Sequence, residues 1–248
     1  MKKNIVFGLL IFMVLPMLFS VELTTYYQES APKYYTDGGV LKGICLDIIT
    51  ELNKELKSDN ISITLKDSNN PFLPFKRIQE YLKVGKIDVF VGLARSPARE
   101  ELYTYIDTPA YGVVSTFSKL KSDSFNYTGL ASLSGKKIGY VDGSKTGKQI
   151  IAIDGVIGDP APDLATALLK LSRGRTDLVF YHSLGLGFTT LQSSLDNVLD
   201  MTKNPFLEYA HYIALNKSVS ADVVASIESA MEKLTYNGKI DGIMDRYR

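Results

Sequence analysis

One short phrase occurs twice in this chain, and the repetition is what most restricts its fold. Gly85-Lys-Ile-Asp88-Val-Phe-Val-Gly92 follows a segment striped by Phe75, Ile78 and Leu82. Gly174-Arg-Thr-Asp177-Leu-Val-Phe-Tyr181 follows a similar stripe over residues 165–171. In both copies a helix-period pattern runs to a glycine suited to a left-handed C-terminal cap. An apolar run too short for a helix comes next, and it is expected to be a buried parallel strand. The surroundings fit the same scheme. Residues 21–26 alternate like a strand, and Cys45, Ile48, Ile49, Leu52 and Leu56 stripe a helix before a second strand at 61–65. Residues 136–141 and 146–153 read as strand and helix, as do 212–215 and 221–234. Two α/β lobes of one local design are predicted, with chain crossings at 113–121 and near 205–210.

The chain has 248 residues, enough for two lobes of roughly a hundred each. Its 28 Lys and Arg against 27 Asp and Glu leave no basic excess to concentrate on a nucleic acid. One cysteine and two histidines exclude an internal disulfide, a cysteine-rich zinc site and His-triad metal hydrolysis. Lys2 and Lys3, the apolar run 5–19 and the small residue Ser20 have the order of a secretory signal. That run makes about 22 Å of helix, short of a hydrocarbon core of about 30 Å. Residues 1–20 are therefore expected to be a cleaved leader and the remainder an exported protein.

Several motifs suggest catalysis and fail on spacing. Ser30-x-x-Lys33, Ser58-Asp59-Asn60 and Lys145-Thr146-Gly147 occur in the order of a serine β-lactamase. Pro32 interrupts the first of them, and Ser58–Asn60 sits where a helix runs out. Gly143-Ser-Lys-Thr-Gly147-Lys148-Gln149 departs from a phosphate loop in its glycine spacing and in Gln149, which replaces the hydroxyl that would hold magnesium. Two readings of that loop remain: an anion site made by free amides at a helix start, or an ordinary capped helix. After the Asp88 strand, Ser96-Pro97 reads as a helix start, with Ser as cap and Pro in the first position. Arg99 then falls in the first turn, where a cation opposes the helix dipole unless it has an anionic partner.

Taken in order, these pieces resemble the extracellular solute-binding proteins, family 3, which serve amino-acid-type ABC importers. The resemblance rests on Tyr34-Tyr-x-Asp37-Gly-Gly-x-Leu-x-Gly43, Leu73-Pro-Phe75-Lys-Arg77 leading to Gly85-x-x-Asp88, and Ser96-Pro-Ala-Arg99 with Asp107-x-Pro109-Ala-Tyr111. Gly135-x-x-Ile138-Gly-Tyr140, its Gly-Ser-x-Thr-Gly loop and Asn237-Gly-Lys-Ile240 complete it. The resemblance implies a two-lobe type II periplasmic-binding fold with two crossing hinge strands. It divides the chain into lobe one at 21–115, lobe two at 116–208 and a completion of lobe one at 209–248. It implies a non-catalytic, monomeric, periplasmic carrier that needs no cofactor, closes on a small solute and meets a membrane permease transiently.

Carried over, Arg99 is similar to the arginine that binds a ligand carboxylate, Phe75 to an aromatic wall, and Thr146 and Gly147 to a loop that completes the carboxylate site. Gly92, Ala94 and Ser96 line the strand end, and Tyr27 or a neighbour faces it. Two positions depart from amino-acid binders: Ala94 stands where they place Thr or Ser, and His182 where they place an Asp. Imidazole supplies no fixed anion for an α-ammonium, which argues against a standard α-amino acid.

Other readings stay open. His182 is either a ligand contact or a core histidine, and it is the imidazole that a lyase or dehydratase on this scaffold would need. A sensory module presenting its closed form to a receptor has the same sequence features. Cys45 reads as a buried small hydrophobe and His211 as structural, while Arg77 fits a surface or a cleft edge equally.

Overall fold

The computed structural model describes residues 20–247, the side chain of Lys145 excepted. The expected leader, apart from Ser20, lies outside the described residues. Among the described residues no helix is long and apolar enough to cross a membrane.

β1 (Val21–Thr25) leads through a hairpin, β2 (Tyr35–Asp37) and β3 (Val40–Lys42), to α1 (Ile44–Glu55) and then to β4 (Ile61–Leu65), which pairs parallel with β1. α2 (Phe75–Lys83), β5 (Val89–Ala94), the single turn α3 (Pro97–Glu100) and β6 (Tyr103–Tyr105) follow. β7 (Tyr111–Leu120) crosses into a second half made of β8 (Lys137–Val141), α4 (Lys145–Ile151), β9 (Ile157–Ala161), α5 (Leu164–Ser172), β10 (Leu178–His182), α6 (Ser183–Gln192) and β11 (Leu199–Met201). β12 (Leu207–Asn216) crosses back and is followed by α7 (Ala221–Tyr236) and α8 (Lys239–Met244).

The two crossing strands pair with each other, antiparallel, from Leu207↔Ser115 to His211↔Tyr111. Past that ribbon, β7 runs on between β10 and β11, while β12 runs on beside β5 and β6. The long sheet therefore has the order β5-β12-β7-β10-β8-β9. The sequence reading put a crossing near 205–210 and a separate strand at 212–215. β12 is instead one strand, because Leu207 to Asn216 contains no Gly or Pro to break it. The expectation of a parallel strand after Gly85 also needs correction: β5 is buried as predicted, but its ladder is with β12 and antiparallel. β10 keeps a parallel neighbour, β8, on one side and takes the antiparallel crossing strand β7 on the other.

The duplicated phrase has a structural cause. Gly85 and Gly174 both sit at positive φ, 71° and 66°, where the helix before each phrase ends. The aspartate three residues on then reaches back to a preceding strand. Asp88 Oδ2 accepts the Thr24 N–H and the Thr24 hydroxyl, both at 2.8 Å, and Asp177 Oδ2 accepts the Lys137 N–H at 2.7 Å. The backbone N–H of each aspartate returns the bond, to Thr24 O at 2.9 Å and to Lys137 O at 2.8 Å. Asp88→Ala is expected to lower stability by about 1–3 kcal/mol, since it strands a half-buried backbone donor. Asp88→Asn, whose amide oxygen still accepts, should lose less. Urea unfolding of the two variants measures the difference.

Buried side chains gather in three clusters. The first joins Leu23, Ile48, Leu52, Ile78, Leu82 and Phe90 to Ile227, Met231, Leu234 and Ile243, so α7 and α8 complete the core begun by α1 and β1. In the second half, Ala167, Leu168, Leu171 and Val179 form one cluster, and Phe117, Ile138, Ile150 and Phe180 another. Phe117, from β7, is an aromatic hub, with ring centroids at 4.9 Å from Phe180, 5.4 Å from Tyr127 and 6.0 Å from Phe206. The two halves also touch directly, where Tyr35 in the β2–β3 hairpin and Phe188 of α6 meet in a T-shaped pair with ring centroids 4.9 Å apart.

Candidate functional site

A cavity of about 510 Å³ lies where β5, the crossing strands, α2, α4 and the β10–α6 junction converge. That volume is in the range of small-molecule sites. Its wall is built from strand ends and helix starts. Phe75 opens α2, Gly92 and Ala94 end β5, Arg99 sits in the turn after it, Thr146 lies in the first turn of α4, and His182 ends β10. Arg99 and Thr146, from different halves of the chain, thus line the same cavity. Among the described residues, no aspartate or glutamate lines it.

Arg99 is half-buried, and its guanidinium is held in place by neutral groups. Nη1 donates to Ala94 O at 2.8 Å, Nη2 to Gln79 Oε1 at 3.4 Å, and the group lies 5.8 Å from the centre of the Phe75 ring. No carboxylate among the described residues forms a salt bridge with it. Arg95, also on the wall, differs: it pairs with Glu100 at 2.6 Å and Asp107 at 2.7 Å, and these bonds raise its pKa further. Its charge is matched locally, whereas that of Arg99 is not.

Lys33 is a cavity-wall residue that the sequence reading did not assign to the site. The residue is 8% exposed, its Nζ donates to Gly92 O at 2.9 Å and it lies 5.6 Å from the centre of the Phe90 ring. Burial chiefly, and Arg99 in part, push its pKa down. Gly92 makes the arrangement possible. It sits at φ 92°, and a Cβ there would come within 2.7 Å of Cys45 Sγ and 3.0 Å of Lys33 Cε. The one sequence signal for Lys33 was Ser30-x-x-Lys33, and the structure gives that pair a different use. The Lys33 ammonium is bonded to Gly92, and Ser58 bonds Glu55 O at the end of α1, away from the cavity.

His182 caps α6: its Nδ1 accepts the Gly185 N–H at 2.9 Å. Desolvation, and to a lesser extent the nearby Lys33, hold its pKa down at about 4. The ring is therefore neutral at pH 7, and because Nδ1 is the acceptor, the proton resides on Nε2. The sign of its effect on stability follows. Between its unfolded pKa of 6.5 and its folded value of about 4, the unfolded chain binds a proton that the folded chain does not, so stability falls as pH drops through that window. The loss should be on the order of 2–3 kcal/mol by pH 4. His182→Asn keeps a cap acceptor and should flatten this slope, as read from urea unfolding at stepped pH.

Three expected site residues do not line the cavity. Tyr27 is buried in the first core, stacked on Tyr34 at 4.7 Å, and its neighbour Gln28 lines the wall instead. Ser96 makes no side-chain cap; its backbone oxygen accepts the N–H groups of Arg99 at 2.9 Å and Glu100 at 3.0 Å. The Gly147 N–H is already donated to Ser144 Oγ at 2.8 Å, and a Cβ there would meet Tyr140 Cδ2 at 2.5 Å. α4 is thus an ordinary serine-capped helix: the Ser144 hydroxyl donates to Val141 O at 2.6 Å and accepts the Gly147 N–H, and Thr146 Oγ1, also on the wall, lies 3.1 Å from it. Cys45 is fully buried, and burial pushes its thiol pKa up. His211 lies on the cavity wall, with Nδ1 at 2.8 Å from the Tyr111 hydroxyl.

The model of the bacterial extracellular solute-binding proteins, family 3, matches residues 23–248. No curated protein sequence matches the chain. Among solved structures, the second substrate-binding domain of GlnP from Lactococcus lactis, in an open conformation, superposes with a TM-score of 0.72 at 17% identity, covering 91% of this chain and 94% of that one. AbpA from Streptococcus pneumoniae, an amino acid ABC transporter substrate-binding protein bound to L-arginine, gives 0.66 at 17% identity over 92% and 94%. A histidine kinase sensor domain with similarity to periplasmic binding proteins gives 0.68 at 16% identity over 92% and 95%. At such identities the likeness is one of fold, the type II periplasmic-binding architecture.

Proposed function

Since the chain belongs to the bacterial extracellular solute-binding proteins, family 3, we propose that it captures a small carboxylate-bearing solute in this cavity and hands it to the permease of an ABC importer. The observation that carries the reading is Arg99: a guanidinium on the cavity wall, oriented by Ala94 O and Gln79 and without a carboxylate of its own. A planar fork of donors fits a carboxylate in two-point contact. His182 and Thr146 line the same space from the other half of the chain.

A solute seated there touches both halves, so it binds the closed arrangement better than an open one and shifts the population toward it. Lobe one is 21–115 with 209–248 and lobe two is 116–208, and the hinge is the β7–β12 ribbon. The protein is exported to the periplasm by a cleaved leader, works as a monomer and carries its solute without turnover.

Mass spectrometry of solutes released from the purified protein tests the reading. An acid-bearing small molecule that raises the melting temperature when added back is expected. A copurifying solute with no acidic group would refute it.

A further inference from the structure

The cavity wall carries two basic side chains, Lys33 and Arg99, that no carboxylate among the described residues pairs with, and no acidic residue lines it. Lys33 has three donors, and Gly92 O takes one of them. The residue is more than nine-tenths buried on that wall, so water cannot solvate the rest freely. Among the described residues no carboxylate pairs with this side chain, and its bond to Gly92 O holds it in place. Arg99 in turn keeps most of its five donors for a guest. The two heads are anchored to carbonyls two residues apart on β5, within about 7 Å of chain.

An α-ammonium in this space would meet like charge and no fixed anion. A second acid group would meet the unmatched ammonium. The same wall also carries the apolar and aromatic side chains Phe75, Tyr181, Leu207 and Tyr209, which suit a short methylene chain.

Resting on the carboxylate reading above, we infer that the solute is a small dianion without an ammonium group, a short dicarboxylate held by Arg99 at one end and Lys33 at the other. His182 adds an uncharged donor and leaves the charge count unchanged. The site therefore selects for the second acid and against the amine.

Isothermal titration calorimetry on the dialysed protein with succinate, glutarate, glutamate and valerate tests this. Glutamate adds an ammonium to the glutarate skeleton, and valerate removes one acid. The better of the two dicarboxylates is expected to bind at least tenfold tighter than either glutamate or valerate, and Lys33→Met should bring that preference over valerate close to one. Glutamate or valerate binding as tightly as the dicarboxylates would overturn the inference and leave the carboxylate reading standing. No binding by any of the four would overturn the inference, while the carboxylate reading is decided by the copurified solute. Should Lys33→Met fail to fold, the comparison of ligands on the unaltered protein decides alone.

Discussion

Arg99→Met is expected to weaken binding of the native solute by about a hundredfold or more while leaving the melting temperature of the solute-free protein within a few degrees. Removing one partner of a desolvated, hydrogen-bonded ion pair typically costs 2–5 kcal/mol, and each 1.4 kcal/mol is a factor of ten. The fold should tolerate the change. Among the described residues the guanidinium bonds Ala94 O and, at 3.4 Å, Gln79, and it sits on a one-turn helix that buries no side chain. Methionine keeps the apolar stem that lies beside Phe75. Arg99→Lys separates charge from geometry: it retains the positive charge without the two-pronged donor set, so an affinity between those of the parent and the methionine variant is expected. Calorimetry with the copurified solute measures both, and an unchanged affinity in Arg99→Met would remove this residue from the site.

Phe117→Ala should be the most damaging single substitution in the second half, lowering stability by about 3–5 kcal/mol. The ring is fully buried and packs on Phe180, Tyr127 and Phe206, and such aromatic pairs add about 0.5–1.5 kcal/mol beyond area burial. Against a typical total of 5–15 kcal/mol this is a large share. Phe117→Leu, which fills more of the space, should lose clearly less. Urea unfolding of both variants reads the difference; equal and small losses would mean that the cluster collapses around the gap.

The fold was legible in the sequence wherever a local pattern carried it. The glycine-capped helix and buried strand of the duplicated phrase, the stripe of α1 and the long stripe of α7 all appear at or within a few residues of the expected positions. What periodicity did not reveal was pairing. That β5 lies against β12, far along the chain, follows from tertiary packing and leaves no mark within either segment. α6 went unread because its glycine-rich run, Ser183-Leu-Gly-Leu-Gly-Phe, carries weak helix propensity; the His182 cap and its packing on both halves hold it.

The site was legible in part for a similar reason. Arg99 declared itself as a cation misplaced in a first helical turn, and Thr146 by its loop. Lys33 gave no such signal. An ordinary lysine before two tyrosines becomes a buried ammonium only because Gly92, distant in sequence, leaves room over Cys45. Tyr27 and Gly147 were assigned to the wall because proximity in sequence cannot tell which neighbour turns inward or which amide is already taken by its own cap.

The ladder that joins the two crossing strands has a mechanical consequence. Five consecutive residue pairs bind β7 to β12 at the waist of the molecule. A two-stranded band of this kind bends across its thin direction at small energetic expense, but sliding one strand along the other would break several hydrogen bonds at once. Any opening or closing of the two halves about this ribbon is thereby left with essentially one soft coordinate.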